Sequence, residues 1–69
     1  MTKVLMIVYF MINGSEIPAW DYDSTFTPIP MPNAEECWVE ANIFNILAAA
    51  DAFEYPEDVE GMRADCVVE

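Results

Sequence analysis

The chain has 69 residues, 55% of them hydrophobic, and a formal net charge of −11, from 13 carboxylates against Lys3 and Arg63 with no histidine. That length makes one domain, residues 1–69, which buries only roughly 60% of its unfolded surface and so needs a disulfide, a metal or a partner to support its core. The apolar fraction excludes an acidic disordered tail, and the shortage of cations excludes direct nucleic-acid binding, where affinity rests on cations facing phosphates.

Val4–Ile12 is an unbroken apolar run. It is too short for a membrane helix, which needs about 20 residues. Its flanks, a single Lys3 before and Asn13-Gly14-Ser15-Glu16 after, do not suit a signal peptide. The run predicts a strand from about residue 3 to 12, buried on both faces. With no targeting segment and no membrane contact expected, the anticipated location is the cytoplasm.

Asn13-Gly14 predicts a type I′ hairpin turn, because both central positions need positive φ. A second strand is expected from Ser15 to Tyr22. Pro18 cannot donate to a ladder, so this strand lies at an edge or is broken. Residues 24–32 alternate proline with apolar residues and cannot be helical. They read as an extended linker that lays Phe26, Ile29 and Met31 on the sheet. Pro28, Pro30 and Pro32 lack the spacing of a polyproline ligand.

Asn33 is a good N-cap, Glu36 stands at N3, and Glu35 and Glu36 suit the positive end of a helix dipole. The helix should run from about Ala34 to Asp51. Cys37, Ala41, Phe44 and Ala48, flanked by Ala34 and Leu47, form the face expected to cover the sheet. Val39, Ile43 and Ile46 form a second apolar stripe. One helix on one sheet cannot easily bury both stripes. Residues 52–60 read as an acidic loop broken by Pro56. From Met62 onward apolar and polar residues alternate, which predicts a last, half-buried strand. The fold class is therefore α+β: a small antiparallel sheet of about three strands, in the order β-β-α-β, covered by one helix.

Cys37 and Cys66 both lie on apolar faces, and a bridge between them is worth about 3 kcal/mol in the chain-entropy model. Two buried thiols are the alternative, which a cytosolic chain favours. Cys37 has no histidine to activate it as a nucleophile. Asp21-Tyr22-Asp23-Ser24-Thr25 begins like a calcium loop, but Phe26 and Pro32 stand where the glycine and glutamate belong. Glu54, Glu57, Asp58 and Glu60 offer only a nonspecific divalent-cation site. No glycine-rich phosphate loop is present. The expectation is a non-enzymatic protein with no cofactor and no metal.

Ten of the 13 acids lie in residues 33–69. Duplex DNA carries one charge per ~1.7 Å of axis, and a small domain studded with carboxylates approximates that array. The residues expected to supply an anionic face are Glu35, Glu36 and Glu40 on the helix, then Asp51, Glu54, Glu57, Asp58 and Glu60, extended by Asp21 and Asp23. Such a face suits the basic surface of a nucleic-acid-binding protein complex, and opposite fields speed association. Tyr9, Trp20, Tyr22, Trp38 and Tyr55 are the aromatic residues that compete for core and interface roles. The alternative use of the charge is solubility alone. In that case the chain is a structural or oligomerising accessory protein, a homodimer through Val39, Ile43 and Ile46.

The layout resembles small proteins of bacteriophages and prophages. The matching pieces are Val4–Ile12, Asn13-Gly14, Phe26, Cys37 and Ala64-Asp65-Cys66-Val67-Val68; the proline-rich stretch departs from that pattern. In size and charge the chain is similar to anti-CRISPR inhibitors and other phage-encoded DNA mimics. That resemblance implies an inhibitor of a bacterial defence complex, such as a CRISPR effector, which blocks its DNA-binding site.

Overall fold

The computed structural model describes residues 3–69. Strand β1 (Val4–Ile12) is followed by β2 (Ser15–Pro18), the one-turn helix α1 (Ala19–Tyr22), β3 (Ile29–Met31), the long helix α2 (Ala34–Ala49) and β4 (Gly61–Val68). β1 is central and all its partners are antiparallel. β4 runs along one edge, from Val4 opposite Val68 to Met11 opposite Gly61. The other edge is shared: β3 covers Val4–Met6, and β2 covers Tyr9–Ile12. Among the described residues, Ile7 and Val8 are left with no ladder partner on that side. The α+β architecture expected from the sequence is the one that forms, with β3 and α1 added to it.

The β1–β2 turn has φ of 52° at Asn13 and 78° at Gly14, the two positive values a type I′ hairpin requires. β2 does not reach Tyr22 as expected. Pro18, with no N–H and φ fixed at −60°, ends the ladder and becomes the N-cap of α1. The proline-rich segment is extended, as predicted, but its Ile29–Met31 portion joins the sheet. Pro30 sits opposite Leu5 on an outer strand, where a missing donor is tolerated. Phe26 meets the Phe10 ring edge-on at 5.5 Å between centroids. Met31 packs against the core, while Ile29 stays exposed.

Side chains alternate between the two faces of the sheet, and paired residues share a face. Val4, Met6, Val8 and Phe10 therefore stand on the same side as Met62, Ala64 and Cys66. α2 packs there over Val4, Met6 and Ala64, and Ala19 and Val59 close over Phe10. The opposite side carries Leu5, Ile7, Tyr9 and Met11. β1 was expected to be buried on both faces; on this second face Ile7 alone is buried and its neighbours are half-buried. Lateral strands shield it, not a second layer.

The side chain of Asn33 accepts the Glu36 N–H at 2.8 Å, which starts α2. The helix stops at Ala49, two residues before the expected end. Asp51 adopts φ 57°, and the Ala52 N–H donates back to Leu47 O at 3.0 Å. Cys37 and Ala41 are fully buried, since small side chains let the helix approach the sheet closely. Ala34, Phe44 and Ala48 are half-buried. Leu47, expected on this face, is exposed: it lies about 80° round the helix from Cys37.

Cys37 and Cys66 are bridged, S–S 2.08 Å, joining α2 to β4. The buried-thiol alternative is thereby corrected. Asn45 makes a second tie that the sequence reading missed. Its amide donates to Ala64 O at 3.0 Å and accepts the Ala64 N–H at 2.7 Å. It thus pairs both polar groups of one residue on the free edge of β4 and blunts that edge against further strands. The double substitution Cys37→Ala/Cys66→Ala should lower the unfolding free energy by about 3–4 kcal/mol, the loop-entropy value for this separation. Urea unfolding of the variant, and of the wild type with and without reductant, checks this; an unchanged midpoint would refute it.

Candidate protein-binding surface

The acids singled out in the sequence form two groups, not one. Glu35, Glu36 and Glu40 are exposed on the first half of α2. Asp51, Glu54, Glu57, Asp58 and Glu60 are exposed at and beyond its C-terminal end. Fifteen residues of helical rise separate Glu36 from Asp51, roughly 22 Å. Asp23 and Asp58 converge on one phenol: the Tyr22 hydroxyl donates to Asp58 Oδ1 at 2.9 Å, and that bond, with both charges nearby, raises its pKa above the usual tyrosine value. Asp21, also exposed, sits beside them on α1. Among the described residues no three acids or cysteines come together in a metal-holding group.

The acids differ in what they do for the fold. Asp23 Oδ1 accepts the Thr25 N–H at 3.0 Å and the Thr25 hydroxyl at 2.9 Å, which holds its carboxyl below the usual range. Glu60 Oε1 accepts the Gly14 N–H at 3.1 Å, and the Glu60 N–H donates to Met11 O at 2.8 Å. Asp58 and Glu60 therefore fasten the 52–60 segment to α1 and to the β1–β2 turn, while Val59 between them is buried against Phe10. The expectation of a free acidic loop is corrected to this extent. Glu35, Glu36, Glu40, Glu54 and Glu57 make no such side-chain tie among the described residues.

Among the described residues, cations do not offset these groups. Both ion pairs among the described residues belong to Arg63, on the open face of the sheet. Its guanidinium donates to Glu16 at 2.6 and 2.7 Å and to Asp65 at 3.4 Å, and it stacks 4.6 Å over the Tyr9 ring. The bond to Arg63 holds the Glu16 carboxyl below its usual range, and the same bond pushes the Arg63 pKa up.

Between the two acidic groups lies apolar surface. Val39 and Ile43 are each 49% exposed and Ile46 is 68% exposed. Trp38 and Leu47 flank them and are also exposed. Trp20 is exposed too, whereas Tyr9, Tyr22 and Tyr55 are half-buried. The second stripe of α2 thus remains uncovered, as one helix on one sheet requires. A helix apolar on every side is normally buried. This one has an apolar outer strip with carboxylates at both ends, the anatomy of an interface core with a charged rim.

Asp51 carries two local costs. It occupies a left-handed backbone position that favours glycine, and it places an anion at the negative end of the helix dipole. No protein-family model, curated protein or solved structure matches the chain.

Two outcomes follow for the charges. Asp51→Gly should raise stability by about 1 kcal/mol by removing both costs, read as a higher midpoint in thermal or urea unfolding; a lower midpoint would sink the reading. For Glu16, the folded pKa is depressed below the ordinary 4.5. Its stabilising contribution is therefore present above that value and is lost as pH falls through the folded pKa. Wild type and Glu16→Gln should differ at neutral pH and converge in acid; a gap that persists to pH 2 would contradict this.

Proposed function

We propose that this chain is a non-enzymatic inhibitor that mimics the charge of DNA. It would bind the basic groove of a nucleic-acid-binding protein, in the class of bacterial defence complexes, and exclude the DNA. What supports this is the set of exposed carboxylates, without cationic partners among the described residues, that brackets the uncovered strip of α2. With Glu16 and Asp65 paired to Arg63, 11 of the 13 carboxylates remain over a molecule whose longest dimension is 39 Å, roughly one per 3.5 Å, about half the linear charge density of duplex DNA. In this reading Ile46, Ile43 and Val39 supply apolar contact area. Glu35, Glu36 and Glu40 at one end, and Asp51, Glu54 and Glu57 at the other, supply steering and register.

The uncovered strip also favours a second reading, a homodimer of an accessory protein. Charge separates the two. In a twofold antiparallel pairing of α2, the N-terminal glutamates of one copy face Asp51 and Glu54 of the other, so like charges meet at both ends. Such a dimer strengthens as salt screens repulsion, whereas a complex with a basic partner weakens.

The experiment captures partners from a bacterial lysate in 50 mM and 500 mM salt, with sedimentation of the protein alone across the same range. The expected result is a basic DNA-binding protein retained at low salt and released at high salt, whose DNA complex dissociates when the inhibitor is added. Each exposed pair contributes only about 0–1 kcal/mol, so Glu57→Gln alone should change little. Neutralising Glu35, Glu36, Glu40, Asp51, Glu54 and Glu57 together should abolish displacement while the fold is kept. Undisturbed target–DNA binding at saturating inhibitor rules out mimicry. A dimer that tightens with salt and is lost in Ile46→Asp establishes the second reading instead.

A further inference from the structure

A cavity of about 610 Å³ opens on the helix side of the sheet, away from the uncovered strip of α2. Phe10, Phe26, Phe44 and Tyr55 form its walls, and Asp23 and Glu54 stand among the lining residues with no cation beside them. Its size is that of an ordinary small-molecule site, apolar with a few polar groups.

Two features describe what it would hold. The first is charge. Two carboxylates at an apolar cavity attract a cation, and aromatic faces do so as well. Asp23 spends Oδ1 on Thr25, while Oδ2 makes none of the hydrogen bonds found among the described residues. Glu54 is exposed and makes none either. The second is shape. Phe10 meets Tyr22 and Phe26 edge-on, at 5.4 and 5.5 Å between ring centroids, so aromatic edges and faces line the space.

We infer that this cavity binds a small organic cation with an aromatic body, an arylalkylammonium, with its ring among Phe10, Phe26 and Phe44 and its ammonium between Asp23 and Glu54. The inference does not depend on the polyanion reading: it shares Glu54 with the second acidic group, but it needs neither the glutamates of α2 nor a protein partner.

The test uses 2-phenylethylammonium as probe and follows the methyl resonances of Val8, Ile29 and Met62, with Ile46 as the reporter for the outer face of α2. Saturable shifts at the first three, and none at Ile46, are expected. Phenylacetate has the same ring with the opposite charge, and methylammonium has the charge without the ring. Both should bind at least tenfold more weakly. Asp23→Asn/Glu54→Gln should weaken the probe at least tenfold; asparagine keeps an acceptor for Thr25, so the turn survives. Glu54→Gln alone loses none of the fold's hydrogen bonds found among the described residues and should weaken it about threefold. Equal binding of methylammonium would reduce the effect to counter-ion attraction. Equal binding of phenylacetate, shifts centred on Ile46, or no change in the Glu54→Gln variant would each overturn the site.

Discussion

β1 hydrogen-bonds to every other strand, and the rest of the molecule is arranged around that one nine-residue segment. β4 needs its full length on one side, and β2 and β3 divide the other. An unbroken apolar run suits this position, because a central strand loses solvent laterally on both edges as well as from the covered face. The division also has a structural consequence. Two short strands on one edge do not meet, so the sheet has an interruption opposite Val8, and the aromatic cavity opens beside it. The same proline that ends β2 therefore shapes the cavity, by turning the chain into α1 and away from the ladder.

The second constraint is the scarcity of cations. Arg63 is committed to Glu16, Asp65 and the Tyr9 ring on the open face of the sheet. Among the described residues, the carboxylates on the helix side pair with neutral donors or with none. Repulsion of that kind works against compaction. The core that opposes it is small, and its two clusters centre on Cys37 and Ala41 at one end and on Phe10 at the other. A covalent link between α2 and β4 fits this balance, since it limits the unfolded chain without demanding more apolar area. The bridge stands in place of the two buried thiols that a cytosolic setting favours.

α2 joins these constraints. The fully buried residues of its inner face, Cys37 and Ala41, are small and bring the helix close to the sheet, while the larger Val39, Ile43 and Ile46 stay outside. Acids at the first turns favour the helix through its dipole, whereas Asp51 at the other end opposes it. Local stability does not account for Asp51. Its position at the end of the apolar strip, where the second acidic group begins, gives it a place in the surface instead.

Much of the fold was legible in the sequence because it rests on local chemistry. The I′ turn at Asn13-Gly14, the Asn33 cap, the alternation in β4 and the excess apolar stripe of α2 each follow from neighbouring residues and a fixed period. The identity of the acids was equally plain, as was their outnumbering of the cations. What the sequence did not disclose depends on residues far apart in the chain. Pro30 became a strand residue only because β1 offered it an outer edge. Asn45 looked like any polar helix position until the edge of β4 lay under it. Asp58 and Glu60 read as members of a free acidic loop, yet Tyr22 and Gly14, 36 and 46 residues away, make them fastenings. The acids themselves were divided by the length of α2, which no composition reveals. The sequence by itself determined the elements, the sign of the surface and the surplus apolar face, since propensity, period and charge are local quantities. Tertiary structure alone decided whether the two cysteines meet, which acids are structural and where a cavity opens, because those are set by the packing of one segment against another.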